Sequence, residues 1–384
     1  MHTASDTLLD ALAAAGISYL FANFGSDHPA ILEALAAAAQ AGRPVPRLIT
    51  CPAEMVALSA AHGAALATGR AQAVLVHVEC GTQSLAGAVH NAARGRIPVL
   101  IFAGASPATQ EGELPGSRNE FIHWLQDVRD QRGIVRGYVK YDNEIRTGKN
   151  LGQLIHRALQ IAHSDPRGPV YLMAAREVLE ETVPATETAP EAFAPLAPQA
   201  LAEADVRTLA AALAAAHRPL VVTSYLGRNP DAPAALVRLC HRLGIGVLES
   251  VPSYVNFPAG DPLHQGSQWN EQRPNPVLAA ADVILVLDSD VPWIPLVNRP
   301  RADAAIYHID TDPLKPHMPL WHIPARRTFC ADAATALTQL DHHLAGSPVD
   351  AAAVAERTAH YTRLHDQHRA ALAARERPDG DAIT

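Results

Sequence analysis

Apolar residues along this chain alternate between short unbroken runs and longer stretches with helical spacing. Residues 3–15 place Leu8, Leu9 and Leu12 on one side, which predicts an amphipathic helix. Residues 19–22 and 47–50 predict strands, with a helix over 31–41 between them. The apolar runs at 73–78 and 99–103 are continuous, as in strands buried on both faces of a parallel sheet. Ala-rich stretches at 55–68 and 85–93 read as helices, 151–164 as another, and 168–173 as a further strand. Strands alternating with helices predict an α/β sheet.

The rhythm breaks at 182–198, which holds four prolines and no amphipathic period. We read 182–200 as an interdomain linker. A second α/β unit follows, with helices at 204–216, 232–243 and 331–344. Its strands fall at 219–224, 246–249, 282–288 and 304–310. The expected organisation is two doubly wound parallel-sheet domains, 1–181 and a Rossmann-like 201–346. Residues 347–384 are expected to form a C-terminal helix or linker, with a breaker at 377–380.

A chain of 384 residues with 48% hydrophobic and 18% charged residues is globular in composition and too long for one ordinary core. A net charge of -8 argues against a nucleic-acid partner. No apolar run is long enough to cross a membrane. Cys51, Cys80, Cys240 and Cys330 form no C-x-x-C pair, so neither a metal site nor a disulfide framework is expected. A reducing cytoplasm fits. Most of the nineteen histidines are expected at the surface.

Candidate chemistry gathers where strands end. Glu54 follows the run Leu48-Ile49-Thr50-Cys51-Pro52-Ala53 and opens a helix, where the helix dipole favours a carboxylate. Gly25-Ser26-Asp27-His28 follows the first strand, where backbone can approach a ligand closely, although the same residues suit an ordinary turn. His77 lies late in its run, where a hydrogen-bonded core histidine is the alternative. Gly81-Thr82-Gln83-Ser84 precedes a helix, and Gly104-Ala105-Ser106-Pro107 follows the run at 99–103.

This order of strand and glycine turn, strand-Glu-helix, strand-Gly-Thr-helix and strand-Gly-x-x-Pro resembles the pyrimidine-binding domain of thiamine diphosphate enzymes, within the acetolactate synthase-like group. The resemblance implies that Glu54 touches the cofactor's aminopyrimidine from a mostly apolar pocket and starts catalysis. It implies that Gly25, Gly81 and Thr82 approach the cofactor, and that Ser26, Asp27 and His28 line the substrate cavity. His77 corresponds to an active-site histidine of some 2-oxoacid decarboxylases. Gln126, ahead of Lys140, corresponds to a glutamine that reaches the reaction centre in carboligases, the alternative being an exposed polar residue on a helix. His123 and Trp124 either wall the pocket or pack. The second domain has no G-x-G-x-x-G after its first strand (Ser224-Tyr225-Leu226-Gly227-Arg228-Asn229), so FAD is not expected and a scaffold role is.

Members of this family usually add a domain that holds the diphosphate through Mg²⁺, marked by Gly-Asp-Gly and a later Asn-Asn. Here Gly-Asp occurs only at 260–261 and 380–381. The expectation is a large subunit whose thiamine diphosphate and Mg²⁺ are shared with a small partner subunit, in a heterotetramer or higher assembly built on a dimer; a truncated copy is the alternative. The expected activity is carboligation or lysis of 2-oxo acids or aldehydes. Pure 2-oxoacid decarboxylation and a silent scaffold are the alternatives.

Overall fold

The computed structural model describes residues 2–185, 189–270 and 272–376. The chain divides into two compact units, Met1–Ala197 and Pro198–Thr384.

The first unit runs α1 (Ala4–Ala14), β1 (Tyr19–Ala22), α2 (Pro29–Ala41), β2 (Arg47–Thr50), α3 (Glu54–Thr68), β3 (Gln72–Val76), α4 (Val78–Ser84), α5 (Ala86–Arg94), β4 (Val99–Ala105), α6 (Ile122–Leu125), β5 (Asp142–Ile145), α7 (Leu151–His163), β6 (Val170–Ala175) and α8 (Arg176–Glu180). Its six strands are all parallel, in the order β2-β1-β3-β4-β6-β5. The continuous apolar runs follow from helices on both faces. On β3 and β4, Ala73, Leu75, Leu100 and Phe102 point into one core with α1, α2 and α7. Val74, Val76, Val99, Ile101 and Ala103 point into the other with α3 and α5. Side chains alternate across a strand, so two-sided burial leaves little room for polar residues, and β3 and β4 hold one between them, Gln72. Thr3 caps α1 in a reciprocal box with Asp6, and Gly42 closes α2 at φ 63.

His163, at the end of α7, accepts a hydrogen bond from the Ala71 N–H through Nε2 (3.3 Å). Burial, reinforced by Arg167 and Lys140, pushes its imidazole down to about 4. The unfolded chain therefore binds this proton more readily, and the group's contribution is present above pH 6.5 and lost as pH falls toward 4. For a partly exposed ring we expect a contribution on the order of 1–2 kcal/mol. Urea midpoints at neutral and mildly acid pH should converge more in His163→Gln than in the parent chain.

The second unit runs α9 (Glu203–Ala215), β7 (Pro219–Thr223), α10 (Ala232–Leu243), β8 (Gly246–Ser250), β9 (His264–Gln268), α11 (Pro276–Ala280), β10 (Val283–Leu287), β11 (Ala305–Asp310), β12 (Arg327–Cys330), α12 (Ala333–Ala345) and α13 (Ala351–Arg375). Its six parallel strands take the order β12-β11-β10-β7-β8-β9, the Rossmann arrangement.

Two expectations about organisation change. Thr182 bridges to Thr3, so the start of the expected linker belongs to the first unit; positions 186–188 lie outside the described residues. Residues 351–375 of the expected C-terminal helix or linker form helix α13, which packs into the second unit. Arg357, Tyr361 and His365, one turn apart each, are buried. Arg357 Nη1 donates to the carbonyls of Leu213, Ala214 and Ala216 at the C-terminal end of α9 (3.5, 3.1 and 2.7 Å). The Tyr361 hydroxyl donates to Pro219 O (2.8 Å), over Gly246, where a side chain would strike its ring. The breaker expected at 377–380 lies outside the described residues. Arg357→Ala strips the last carbonyls of α9 of their donor and opens a hole. It is expected to destabilise the second unit by about 2–4 kcal/mol, read as a lower urea midpoint.

Candidate active site

Chain order reverses in the first sheet between β1 and β3, and ligands of open parallel sheets collect at the C-terminal strand edge beside such a reversal. The segment 23–28 follows β1, Glu54 follows β2, His77 follows β3 and Gly104 is next to last in β4. Residues far apart in sequence thus share one edge.

Glu54 is the first residue of α3, after extended Ala53. Asn23 Nδ2 donates to its Oε1 (3.0 Å), and Asn23 is itself fixed by its backbone N–H to Leu75 O (3.1 Å). Oε2 takes no hydrogen bond from the described residues. Gly81 of α4 faces this carboxylate: a Cβ there would sit 3.2 Å from Oε1 and 3.2 Å from Val76 Cβ. Only one side of the expected apolar pocket is built. Glu54 is half-buried, and its neighbours Met55 and Val56 are 49% and 44% exposed. Within this chain the carboxyl is not shut away from solvent.

Beside it lies a buried polar cluster. The His77 Nδ1–H donates to Asp27 Oδ1 (2.5 Å), and the Val78 N–H donates to Asp27 Oδ2 (3.2 Å). Asp27 is 2% exposed. Burial would raise its carboxyl, but the His77 hydrogen bond, the charges of His28 and His77 and the Val78 N–H hold it below the usual carboxylate range. Burial opposes a charge on His77, yet Asp27, Gln126 and Glu54 together lift its imidazole above the ordinary histidine value. His28, fully buried, is held below that value by burial. Its Nε2 lies 3.2 Å from Asp27 Oδ2 without hydrogen-bonding alignment, and its Nδ1 accepts from the Gly25 N–H (3.1 Å).

The polypeptide makes room for this cluster by omission. A Cβ on Gly25 would fall 2.0 Å from His77 Nδ1, and one on Gly104 1.5 Å from Asp27 Oδ2. Gly25 therefore backs onto the His77 ring. Val78, β-branched, sits at φ 29, a strained conformation of the kind found at functional sites.

His77 and the Gly81-Thr82 pair are placed differently from expectation. β3 ends at Val76, and His77 is the N-cap of α4. Gly81 to Ser84 lie inside that helix and form no turn; its first turn, Val78-Glu79-Cys80-Gly81, lacks the apolar period that would announce it. Thr82 is buried, donates to Val78 O (2.7 Å) and meets the Tyr171 hydroxyl (2.8 Å), so its side chain is committed to the helix and the sheet.

Gln126 caps the C-terminal end of α6 and is 7% exposed, against the reading as an exposed helix residue. The His77 Nε2–H donates to its Oε1 (3.2 Å), while its Nε2 has no partner. His123 is buried, with Nδ1 accepting from the Asn119 N–H (3.3 Å) and Nε2 3.5 Å from Ser26 Oγ. Trp124 is 47% exposed under the Arg118 guanidinium, 5.6 Å from its ring centre. Arg118 also donates to Pro107 O, His123 O and Asp127, clasping the segment that carries His123 and Gln126. Sequence reading gave no role to Asn23 or Arg118, and named Gly104 only within the strand-Gly-x-x-Pro motif. Gly104 carried a signal, a glycine inside a β run, which marks close approach.

In the second unit the chain order reverses between β7 and β10, and that crevice is filled by the chain's own side chains. Lys315, 3% exposed, reaches Asp310 (2.7 Å), Asp290 (2.7 Å) and the Tyr225 hydroxyl (2.9 Å). Among the described residues no group of His, Cys, Asp and Glu is arranged to hold a metal ion, and no helix is long and apolar enough to cross a membrane.

Comparison with known proteins gives consistent matches. Residues 2–134 match the thiamine pyrophosphate enzyme N-terminal TPP-binding domain, and residues 206–340 the thiamine pyrophosphate enzyme central domain. The chain is 27% identical over 257 residues to the acetolactate synthase isozyme 1 large subunit of Escherichia coli, covering 66% of this chain and 43% of that protein. It is 25% identical over 259 residues to a probable 2-ketoarginine decarboxylase of Pseudomonas aeruginosa, covering 66% and 44%. The chain thus spans less than half the length of these curated relatives. In fold it is similar to the 4-hydroxybenzoylformate decarboxylase of Rhodococcus jostii (TM-score 0.71, 21% identity, covering 91% of this chain and 64% of that one). It is also similar to the benzoylformate decarboxylase of Polynucleobacter necessarius (TM-score 0.72, 18% identity, 89% and 61%).

Proposed function

Because the chain carries the N-terminal cofactor-binding domain and the central domain of the thiamine pyrophosphate enzymes, we propose that it supplies the cofactor-activating half of a carboligase or lyase that acts on 2-oxo acids or aldehydes. The observation that carries this reading is Glu54, oriented by Asn23 at the switch-point edge, with one oxygen left for an outside partner.

The residues present fit the pyrimidine end of the cofactor. Glu54 would hold it through Oε2, and Gly81, having no side chain, leaves the space beside that carboxylate open. Thiamine diphosphate, when bound, supplies a nucleophilic carbon for carbonyl chemistry. Glu54 holds and returns a proton at its carboxyl oxygen, kept in place by Asn23. Asp27 keeps a proton on His77 Nδ1, and His77 offers a second at Nε2 to the Gln126 side of the site.

We assign the diphosphate, its Mg²⁺ and the missing wall of the Glu54 pocket to a small partner subunit. The exposed Met55 and Val56 beside Glu54 support this, since a second polypeptide would cover them and dry the carboxyl. The assembly would be a heterotetramer or larger in the cytoplasm. Decarboxylation without ligation is the second reading, favoured by the proton-holding Asp27–His77 pair.

Calorimetric titration with thiamine diphosphate and Mg²⁺ tests the assignment on the chain alone and mixed with a separate subunit that carries the diphosphate-binding domain. Binding only in the mixture supports it; binding by neither sample, or by the lone chain with full affinity, overturns the division. Product analysis with pyruvate and an aromatic aldehyde separates hydroxyketone formation from simple aldehyde release.

A further inference from the structure

Gln126 occupies an unusual electrostatic position. Its backbone is pinned at both ends, with its N–H on Ile122 O (2.9 Å) and its carbonyl accepting from Ser106 Oγ (3.1 Å). The side chain is buried, and within it the amide oxygen is used while the amide nitrogen has no partner. A buried amide that leaves two N–H groups unmet costs free energy unless something else meets them. Rotating the amide by half a turn would exchange the two ends at almost no steric cost, since N and O are nearly the same size. Only His77 fixes which end faces which way.

We propose that Gln126 is a proton-controlled amide that leaves its N–H groups unpaired while His77 Nε2 carries a proton and its carbonyl oxygen unpaired once that proton has left. Asp27 makes the device work, because it fixes the other ring nitrogen. With Nδ1–H always directed at Asp27 Oδ1, the only proton His77 can lose is the one on Nε2. While that proton is present, the amide oxygen must accept it. Once it is gone, two lone pairs would face each other 3.2 Å apart, and the amide turns so that its N–H donates to the bare nitrogen.

The end turned away from His77 then changes from a pair of donors, suited to a carbonyl or carboxylate oxygen, to an acceptor, suited to a hydroxyl. This rests on the proposed function for the nature of the ligand, but the switch itself belongs to this chain alone. The titratable and charged groups that face His77 are Asp27 and His28 from the segment after β1, and Glu54 from α3. Asp27 and Glu54 favour the protonated state of the switch, and burial holds His28 below the ordinary histidine value.

The test is nuclear magnetic resonance on the full chain without cofactor, with ¹⁵N in glutamine side chains and in histidine rings. Across the titration of His77, the Gln126 side-chain NH₂ signal is expected to move with the same midpoint as the ring. In Asp27→Asn both midpoints should fall together by about one pH unit, since a neutral partner replaces a carboxylate. In His77→Phe the Gln126 signal should lose its pH dependence. A Gln126 signal that stays flat through the His77 titration, or that keeps its midpoint in His77→Phe, overturns the proposal. Cofactor binding is measured separately on the chain mixed with its proposed partner subunit, so a flat signal with intact binding sinks the switch alone. Lost binding with a coupled signal sinks the enzyme reading alone.

Discussion

Replacing Glu54 by glutamine is expected to lower turnover of the assembled enzyme by at least about 100-fold, the scale on which a positioned proton carrier contributes. The prediction separates chemistry from architecture because the two demands on this residue differ. As the first residue of α3, the carboxylate interacts favourably with the helix N-terminus, a contribution of about 0.3–1 kcal/mol that glutamine forfeits. Glutamine still offers an oxygen to Asn23 Nδ2, so the 3.0 Å contact survives. What it cannot do is take up and give back a proton at the second oxygen. The urea midpoint should therefore shift little while turnover collapses. Asn23→Ala provides the graded control, leaving the carboxyl chemically competent but unaimed, and should cost less than Glu54→Gln. Near-parental turnover in Glu54→Gln would remove the residue from the mechanism, and with it the proposed function.

How much of this was legible in the sequence depended on burial. Strands covered on both faces announced themselves, because β4 and β10 hold no polar residue and β3 and β7 hold one each, Gln72 and Thr223, at an end. β5, β9 and β12 were missed. All three are sheet edges and read Asp-Asn-Glu-Ile, His-Gln-Gly-Ser-Gln and Arg-Thr-Phe-Cys. An edge strand is specified by backbone pairing with its neighbour, which leaves no apolar run to read. The histidines were less legible. His156, His264, His308 and His365 are buried, and distant residues hold two of them: Glu249 meets His264, and the His264 carbonyl meets His365. Within the site, the residue types at strand ends were readable, since switch-point edges collect chemistry. The pairing of Asp27 with His77 was not, because fifty residues separate them and only the sheet order brings them together. Nor did composition reveal that Thr82 turns inward to Tyr171.

The second large effect is expected at Gly104, where alanine should destabilise the first unit by about 3–5 kcal/mol. Gly104 sits in β4 paired with Ala174, in a strand where alanine is otherwise acceptable. The obstacle is Asp27: the new methyl would fall 1.5 Å from Oδ2, 2.4 Å from Cγ and 2.7 Å from Cβ. Asp27 has nowhere to go, being 2% exposed and held by His77 and the Val78 N–H. Expelling it would strand the His77 charge and unmake the contact that steadies Val78 at φ 29. If that account is right, the cost belongs to the pair and not to the glycine. Asp27→Gly removes the three atoms nearest the methyl, so Gly104→Ala in that background should cost less than about 1 kcal/mol, a coupling of roughly 2–4 kcal/mol in a double-mutant cycle. Additive costs would mean that the methyl is rejected by the strand itself. Gly25→Ala offers a milder version of the same experiment. Its methyl would meet the His77 ring at 2.0 Å, but that side chain is 19% exposed and has room to tilt, so the penalty should be smaller and should vanish in His77→Ala.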